Sequence, residues 1–171
     1  MAKGERSQMA EIRKVNLDEE VAKLLIDFSA DWEREGSCFG YRRNRIEDLQ
    51  GRTIYLACSG SSVTGYLFGH PETAAQESCT IPKGSRCFEV EELFVTKEMR
   101  SGGIGRSLFE FMEHDQAGDC DYICLTTATR NARAILHFYL DEVGMTFWNA
   151  RLFKKLDPDL PARGPEESQK Q

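Results

Sequence analysis

The chain is 171 residues long and carries 22 Lys and Arg residues against 28 Asp and Glu residues, so its formal net charge at pH 7 is −6. This length predicts a single domain. A domain of this size buries about 70% of its unfolded surface, and it therefore needs no disulfide or structural metal to fold. The acidic balance, with no block of Lys and Arg to reverse it, excludes nucleic acid as the main partner.

The pattern of apolar residues and cysteines excludes further classes of protein. No stretch approaches the roughly 18 uninterrupted apolar residues of a membrane helix, and the polar residues 1–10 do not resemble a signal peptide. The six cysteines and three histidines show no Cys-x-x-Cys pair and no zinc-ligand spacing. The sequence therefore predicts a cytoplasmic protein with reduced thiols, no metal and no membrane partner.

Apolar periodicity and turn residues predict the secondary structure in chain order. Residues 10–15 alternate as a first strand, and the helix that follows has Asn16 as its N-cap, Glu19 in capping-box position and Gly36 at its end. The remaining predicted elements are a short helix within 38–49, a hairpin of strands 53–58 and 63–68, a long loop 71–86, a strand 87–96, a helix 102–116, a strand 122–128, a helix 131–143 and a closing β segment 145–156.

This order of elements predicts an α/β fold of mixed type. A single mixed central sheet of about six to seven strands, with helices on both faces, is the arrangement that buries the apolar side of each element. The predicted domain spans residues 10–156. Residues 1–9 are polar and predict a flexible extension, whereas Pro, Glu, Gln and Ser in residues 157–171 predict a disordered tail.

A glycine cluster joins the predicted strand 87–96 to the helix after it. Gly102, Gly103 and Gly105 precede or open that helix, where free N–H groups and the positive end of the helix dipole attract anions. Glycine lets a phosphate approach main chain that a Cβ would block, and Arg100 and Arg106 add positive charge. The segment predicts a site for a phosphate or pyrophosphate.

Two other phosphate loops fit this segment less well. A Walker loop requires Gly-Lys-Ser/Thr, which is absent, and a dinucleotide fingerprint requires a small residue where Leu108 stands. The alternative interpretation is a flexible strand-to-helix turn with solvated arginines.

Three motifs together resemble a known family. Arg100-x-x-Gly103-x-Gly105 resembles the pyrophosphate loop of the GNAT superfamily of acetyl-CoA-dependent N-acetyltransferases. The preceding residues 88–95 resemble the fourth strand of that family, and Asn131 together with the Phe138-Tyr139 pair resembles its last conserved block. The family usually spaces the Asn and the Tyr by seven residues, whereas here the spacing is eight, so the last helix is expected to be longer or bulged.

The resemblance implies a GNAT-like fold, acetyl-CoA as the acetyl donor and no metal. It implies that the pantetheine arm lies along the fourth strand and that the pyrophosphate lies in the glycine loop. The residues that it implies for acetyl-CoA binding are Leu93, Phe94, Val95, Arg100, Ser101, Gly102, Gly103, Ile104, Gly105, Arg106 and Asn131.

Acetyl transfer to an amine requires a base, and the predicted strand carries three glutamates. Strand alternation predicts that Glu89 and Glu91 share one face and that Glu92 takes the other. We expect Glu91 or Glu89 to take the amine proton through water, because both positions resemble base positions in branches of the family. The alternatives are that these carboxylates only attract a cationic acceptor, or that they lie on a solvated face.

Tyr139 is the candidate acid that protonates the leaving thiolate, since a phenol with a pKa of about 10 and a thiol with a pKa near 8.5 are close enough for that transfer. The alternative is a core tyrosine, because Tyr139 lies on the apolar stripe of its helix with Ile135 and Phe138. His70, beside Pro71, is expected to close a strand and to edge the acceptor pocket.

Three functions remain open at this point. The first is transfer of acetyl from acetyl-CoA to a primary amine of a small cationic molecule, by direct attack in a ternary complex. The second changes the acceptor to a protein or peptide amine, and the third is an acyl-CoA-binding module without turnover. Trp148 is interpreted as packing the last strands together or as a subunit contact, so a homodimer is possible.

Overall fold

The computed structural model of the protein describes residues 10–155. The predicted extension 1–9 and the predicted tail 157–171 lie outside the described residues.

A single mixed sheet organises the chain. Its strands are β1 Glu11–Val15, β2 Thr53–Ser59, β3 Ser62–Thr73, β4 Arg86–Val95 and β5 Tyr122–Leu125. They lie in the order β1-β2-β3-β4-β5, and only the pair of β4 and β5 is parallel. The predicted mixed sheet is confirmed, but among residues 10–155 it has five strands instead of six to seven. The predicted closing β segment is wrong over residues 145–155, which pair with no strand.

Helices cover both faces of this sheet, as predicted. They are α1 Glu19–Glu35, α2 Ile46–Leu49, α3 Ile104–Gln116 and α4 Ala132–His137, with a 3-10 turn at Lys97–Met99 and a π-helical turn at Phe138–Glu142. The core on the α3 face includes Tyr55, Leu67, Phe88, Leu108, Phe109 and Met112. The core on the opposite face, under α1 and α2, includes Leu25, Leu49, Ile54, Tyr66, Phe68 and Phe94.

The start of α1 differs from the prediction. Its N-cap is Asp18 and not Asn16, because the Asp18 carboxylate accepts a 2.8 Å hydrogen bond from the main-chain N–H of Val21. A side chain at the N-cap can satisfy one of the helix's free donors only within this short range. The predicted end at Gly36 is confirmed, and Gly36 has the left-handed φ of 60° typical of a helix terminus.

The hairpin of β2 and β3 is longer than predicted on one side. Strand β3 does not stop near residue 68 but continues to Thr73, so the loop that follows begins at residue 74. The extension forms because β4 supplies partners for it, such as Glu89 opposite His70 and Phe88 opposite Pro71. His70 therefore lies inside a strand, and the prediction that it closes one is wrong.

A β-bulge interrupts the pairing of β3 with β4. Phe68 lies opposite Glu92 and the next residue, Gly69, lies opposite Val90, so Glu91 has no partner on β3. A bulge of this kind inserts one unpaired residue and bends its strand. Gly69 is required at this point because a Cβ there would lie 2.2 Å from the main-chain oxygen of Glu89.

The bulge reverses which residues of β4 face α3. Before it, Phe88 and Val90 pack into the core on the α3 face, and after it the residues that do so are Leu93 and Val95. The regular alternation of side chains between the two faces of β4 is therefore broken between Val90 and Glu92. The prediction that Glu92 takes the face away from Glu89 is wrong, since both lie opposite α3. Glu91 occupies the bulge and contacts His70, the strand partner of Glu89.

Strands β4 and β5 separate after a short parallel contact. Residues Cys87 to Val90 of β4 pair with Tyr122 to Leu125 of β5, and β5 then ends earlier than the predicted residue 128. Residues 91–95 of β4 therefore have no strand partner on the β5 side. We call the place where β4 separates from β5 the cleft.

The last helix is bulged. Asn131 is its N-cap, and its side chain accepts a hydrogen bond from the N–H of Ala134 at 3.4 Å. From Phe138 the helix continues as a π turn, in which the N–H of Val143 donates to the carbonyl of Phe138 at 3.1 Å. A π turn holds one residue more than an α turn. The long spacing from Asn131 to Tyr139 predicted a longer or a bulged helix, and the helix in the structure is bulged.

We predict that Gly69→Ala destabilises the protein by at least about 3 kcal/mol, because the new methyl group would collide with main chain that belongs to the bulge. Gly84→Ala is the matched control. Gly84 has a φ of 87° but open space around it, so the control should lose only the cost of the left-handed conformation, about 1–2 kcal/mol. Urea unfolding measures both losses, and an equal loss in the two variants would contradict the tight bulge.

Candidate functional site

The turn between β4 and α3 forms an uncapped helix N-terminus. Gly103 is the N-cap of α3 with a φ of 81°, and no side chain of residues 10–155 caps the first turn of the helix. The N–H groups of that turn lack intrahelical partners. A Cβ on Gly103 would meet nothing within 4 Å, so the space in front of the turn is open. Main-chain donors, a helix dipole and open space together suit an anion.

The same turn contacts β4 and the π turn. A Cβ on Gly105 would lie 3.6 Å from the ring of Phe138 and 3.8 Å from Cγ2 of Val95. Ile104 is buried beneath the turn, whereas Ser101 and Gly102 are exposed, and Ser101 has a left-handed φ of 63°. The fold thus brings together the glycine loop, the end of β4 and the Phe138-Tyr139 pair, which the sequence predicted to act together.

Both arginines predicted to bind phosphate have partners within the chain. The Nε of Arg100 donates to the carbonyl of Val95 at 2.9 Å, and its Nη2 lies 2.8 Å from the carboxylate of Glu35 at the end of α1. Arg106 pairs with Glu110 one turn along α3, at 2.7 Å. A phosphate bound at the turn would compete with these carboxylates for the two guanidinium groups.

Glu91, at the bulge, contacts two basic side chains. Its Oε1 lies 2.7 Å from Nε of Arg52 and 2.5 Å from Nδ1 of His70. The Glu91 side chain is 26% exposed, so these contacts hold it at the edge of the sheet. His70 thus contacts a candidate base, and its place at the edge of the acceptor pocket stays a prediction.

Glu89 is half-buried on the face opposite α3. Burial raises the pKa of its carboxyl above the ordinary value, and the negative charges of Glu72 and Glu91 raise it further, while His70 opposes them. A carboxylate whose pKa is raised is a stronger base.

Glu92 is the functional candidate that the sequence analysis missed. Its Oε2 accepts a 2.6 Å hydrogen bond from the hydroxyl of Tyr66 and a 2.9 Å hydrogen bond from Nδ2 of Asn44. Burial raises the pKa of the Glu92 carboxyl, although the hydrogen bonds from Tyr66, Asn44 and Tyr41 oppose the rise. The bulge, which depends on the packing of two strands, turns Glu92 toward Tyr66 and Asn44, which lie 26 and 48 positions earlier in the chain. No local pattern in the sequence signals these contacts.

Tyr139 is buried among aromatic rings. Its ring centroid lies 6.3 Å from that of Phe109 and 5.0 Å from that of Phe138. Burial raises the pKa of the Tyr139 hydroxyl to about 12, with a smaller contribution from Cys38. Tyr139 packs against the core, as one of its two interpretations expects, and its role as an acid stays a prediction. Asn131 is exposed and serves as the N-cap of α4.

By their geometry, residues 10–155 hold neither a metal-ion cluster nor a membrane-spanning helix. Within residues 10–155 no group of three or more His, Cys, Asp or Glu side chains is arranged to hold a metal ion. Over the same residues, no helix combines the length and the apolar character needed to cross a membrane. Trp148, predicted to pack between strands or subunits, is 51% exposed.

The chain is similar to known proteins in sequence and in structure. The profile of the Acetyltransferase (GNAT) family matches residues 18–145 of this chain. The comparison with curated proteins found no match. Among solved structures, a transcriptional regulator from Bacillus halodurans C-125 is 20% identical with a TM-score of 0.61, covering 86% of this chain and 99% of that one.

Two further solved structures are similar to this chain. An aminoglycoside acetyltransferase from an uncultured soil metagenomic sample is 12% identical with a TM-score of 0.60, covering 88% of this chain and 99% of that one. A Trypanosoma brucei acetyltransferase is 12% identical with a TM-score of 0.58, covering 86% of this chain and 99% of that one. At such identities the likeness concerns the fold alone.

We predict that Glu92→Gln becomes more stable relative to the wild type as the pH rises. A carboxyl whose pKa is raised by folding binds its proton more tightly in the folded state, so its favourable contribution is present below the unfolded pKa, about 4.3, and is lost as the pH rises through the folded pKa. The loss is about 1.4 kcal/mol for each unit of the rise, and the amide of Gln never incurs it.

Urea unfolding at about pH 4 and about pH 8 measures this difference in the free energy of unfolding. Glu47→Gln on the exposed side of α2 is the control, and its difference from the wild type should stay nearly constant between the two pH values. A Glu92→Gln difference that is also constant would mean that the Glu92 carboxylate is well solvated, against the structure.

Proposed function

Since the chain belongs to the acetyltransferase (GNAT) family, as its glycine loop and element order predicted, we propose that it transfers an acetyl group from acetyl-CoA to a primary amine of a small cationic molecule. The amine attacks the thioester directly in a ternary complex. One observation carries the proposal, namely the uncapped glycine turn of α3 beside the cleft where β4 separates from β5.

The residues at this turn fit the donor. Gly103 has a left-handed φ of 81° and open space where a side chain would stand, so a diphosphate can approach the N–H groups of Gly103, Ile104 and Gly105. Arg100 and Arg106 would exchange their carboxylate partners for phosphate oxygens. The main chain of residues 93–95, which has no strand partner on the β5 side, would hold the amide groups of the pantetheine arm, and the Val95 carbonyl would exchange Arg100 for it. The donor supplies an activated acetyl group as a thioester.

The acceptor must lose a proton before it attacks. An alkylamine with a pKa of about 10.4 is deprotonated at pH 7 at a cost of roughly 4.6 kcal/mol, which a nearby base offsets. We assign that role to Glu89 or Glu91, acting through water. Glu89 is the better base of the two, because its pKa is raised and no guanidinium contacts it, whereas Arg52 lies against Glu91.

Tyr139 is proposed to assist the leaving thiolate. A hydroxyl with a pKa of about 12 is a weaker acid than a thiol with a pKa near 8.5, so complete transfer of its proton is unfavourable. The role that remains is to donate a hydrogen bond to the sulfur as negative charge develops there. The raised pKa of Tyr139 therefore limits its proposed role to hydrogen bonding, whereas the sequence predicted full proton transfer.

The proposal also covers the cellular compartment, the bounds of the folded domain and the oligomeric state. All six cysteines are free thiols, which suits a reducing compartment such as the cytoplasm. The folded unit is taken as residues 10–156. A homodimer remains compatible with the exposed Phe147 and Trp148, which lie after the last helix.

We predict that Gly103→Ala weakens coenzyme A binding at least about tenfold, because its methyl group enters the space where the diphosphate would lie. Gly118→Ala is a matched control, since Gly118 also has a left-handed φ, 93°, with nothing within 4 Å, but lies beyond the other end of α3. Both variants carry the same backbone cost. Calorimetry with coenzyme A measures the affinities, and equal affinities in the two variants would remove the glycine turn from donor binding.

The function itself is tested with acetyl-CoA, a panel of primary amines and a thiol-release assay. The wild type should release thiol with small cationic amines, and Tyr139→Phe should lower kcat about tenfold or more with little change in the KM for acetyl-CoA. Tyr122→Phe, at an exposed position on β5, should leave both parameters unchanged. Binding of coenzyme A without thiol release for any amine would favour the non-catalytic alternative.

A further inference from the structure

Both ring nitrogens of His70 face carboxylates. Nδ1 is enclosed, has no aligned hydrogen bond within residues 10–155, and lies 2.5 Å from Oε1 of Glu91. Nε2 lies 4.0 Å from Oε2 of Glu72, a distance that one water bridges. Because Nδ1 is enclosed, the exposed 30% of the His70 side chain lies on the rest of the ring. The contact with Glu91 assigns the proton of the neutral ring to Nδ1 and leaves a lone pair at Nε2.

Arg52 shares the carboxylate oxygen that holds His70. Its Nε is also enclosed and lies 2.7 Å from Oε1 of Glu91. A guanidinium keeps its protons near neutral pH, so Arg52 neither takes nor releases the proton of an acceptor amine. With two basic side chains on one oxygen, Glu91 is placed to orient His70.

Glu89 lies beside His70 on the neighbouring strand. The two residues are register partners on β3 and β4, on the face opposite α3, and the charge of His70 acts on the Glu89 carboxyl. Within residues 10–155 no ion pair or side-chain hydrogen bond engages Glu89. Partners of this kind have Cβ atoms about 5 Å apart, so a single water can join the two side chains.

An imidazole keeps a proton better than a carboxylate does. Their ordinary pKa values, about 6.5 and about 4.3, place a shared proton on the imidazole by about a hundredfold. The raised pKa of Glu89 reduces that ratio. The charged groups that face His70 are Glu72 on β3, Glu89 and Glu91 on β4 and Arg52 before β2. Three carboxylates against one guanidinium favour the imidazolium.

We propose that His70, oriented by Glu91, receives the proton of the acceptor amine from Glu89 through water and releases it to solvent beside Glu72. The inference rests on the proposed function and divides the roles of the two candidate bases, with Glu89 as the base and Glu91 as the group that holds His70. His70 touches no substrate and acts through Glu89, so it is a positioning residue.

The proton moves in two steps. In the first, the O–H bond of the Glu89 carboxyl breaks and an N–H bond forms at Nε2 of His70. In the second, that N–H bond breaks and the proton passes to water. The ring returns to the tautomer with its proton on Nδ1, and Glu89 is again a carboxylate for the next amine.

His70→Gln tests the relay through its dependence on buffer. Gln keeps a polar side chain beside Glu91 but takes up no proton, so kcat in the thiol-release assay should fall about tenfold or more in dilute buffer with the KM for acetyl-CoA unchanged. Added imidazole should restore much of the lost kcat, because a small base from solution replaces the missing ring, whereas loss of a merely structural role would not respond. His114→Gln, at an exposed position on α3, should show neither effect.

NMR of the histidine rings follows the same cluster without turnover. The ring signal of His70 is assigned by its absence from His70→Gln, and its midpoint is measured against pH. This midpoint should fall in Glu91→Gln and in Glu72→Gln, since each substitution removes a negative charge beside the ring. Glu113→Gln, on the exposed face of α3, should leave it unchanged.

The outcomes separate the relay from the proposed function. A kcat that His70→Gln leaves unchanged, or a loss that imidazole does not reduce, would reject the relay, while thiol release by the wild type would still support the transfer. A midpoint moved by neither Glu91→Gln nor Glu72→Gln would reject the relay whether or not thiol is released. A midpoint moved by both, without thiol release for any amine, would support the His70 cluster and reject the transfer.

Discussion

The separation of β4 from β5 is the constraint on which the rest of the site depends. The two strands share only four residue pairs before they part, and the bulge at Glu91 follows directly after the last of them. A bulge bends its strand and increases its twist. The bend leaves the main chain of residues 91–95 without a partner on one side, where a ligand can replace the missing strand.

The electrostatics of the cleft follow from this bend. The bulge exposes Glu91 to Arg52 and His70, and it turns Glu92 toward the neutral donors Tyr66 and Asn44. Adjacent glutamates thereby acquire different partners. The Glu91 carboxylate is balanced by basic side chains, and the buried Glu92 carboxylate is held by neutral hydrogen-bond donors.

At the phosphate end of the cleft the charges are already balanced. Arg100 links the glycine loop to α1 through Glu35, and its guanidinium also lies 5.6 Å from the centroid of the Phe94 ring. An exposed ion pair of this kind contributes little, so a phosphate with two or more charges can displace the carboxylate. The main-chain donors of the α3 turn have no such competitor, and they form the fixed part of the anion site.

Local patterns in the sequence were enough to predict the family, the mixed sheet with helices on both faces and the glycine turn. Each of these depends on residues close together in the chain, such as Gly103 and Gly105 at a helix start, or the apolar stripe of α1. The spacing of Asn131 and Tyr139 also signalled the bulged last helix. The sequence did not reveal the capping by Asp18, because two residue types that can cap stand close together there and only the geometry decides between them.

The tertiary structure alone decided the faces of β4 and the partners of its glutamates. The register of two strands determines where a bulge lies, and register depends on contacts across the sheet, such as the approach of Gly69 to Glu89. A shift of one residue reverses every side chain beyond it, so alternation in the sequence could not predict the surroundings of Glu92. Those surroundings come from Asn44 and Tyr66, which folding brings together from separate elements.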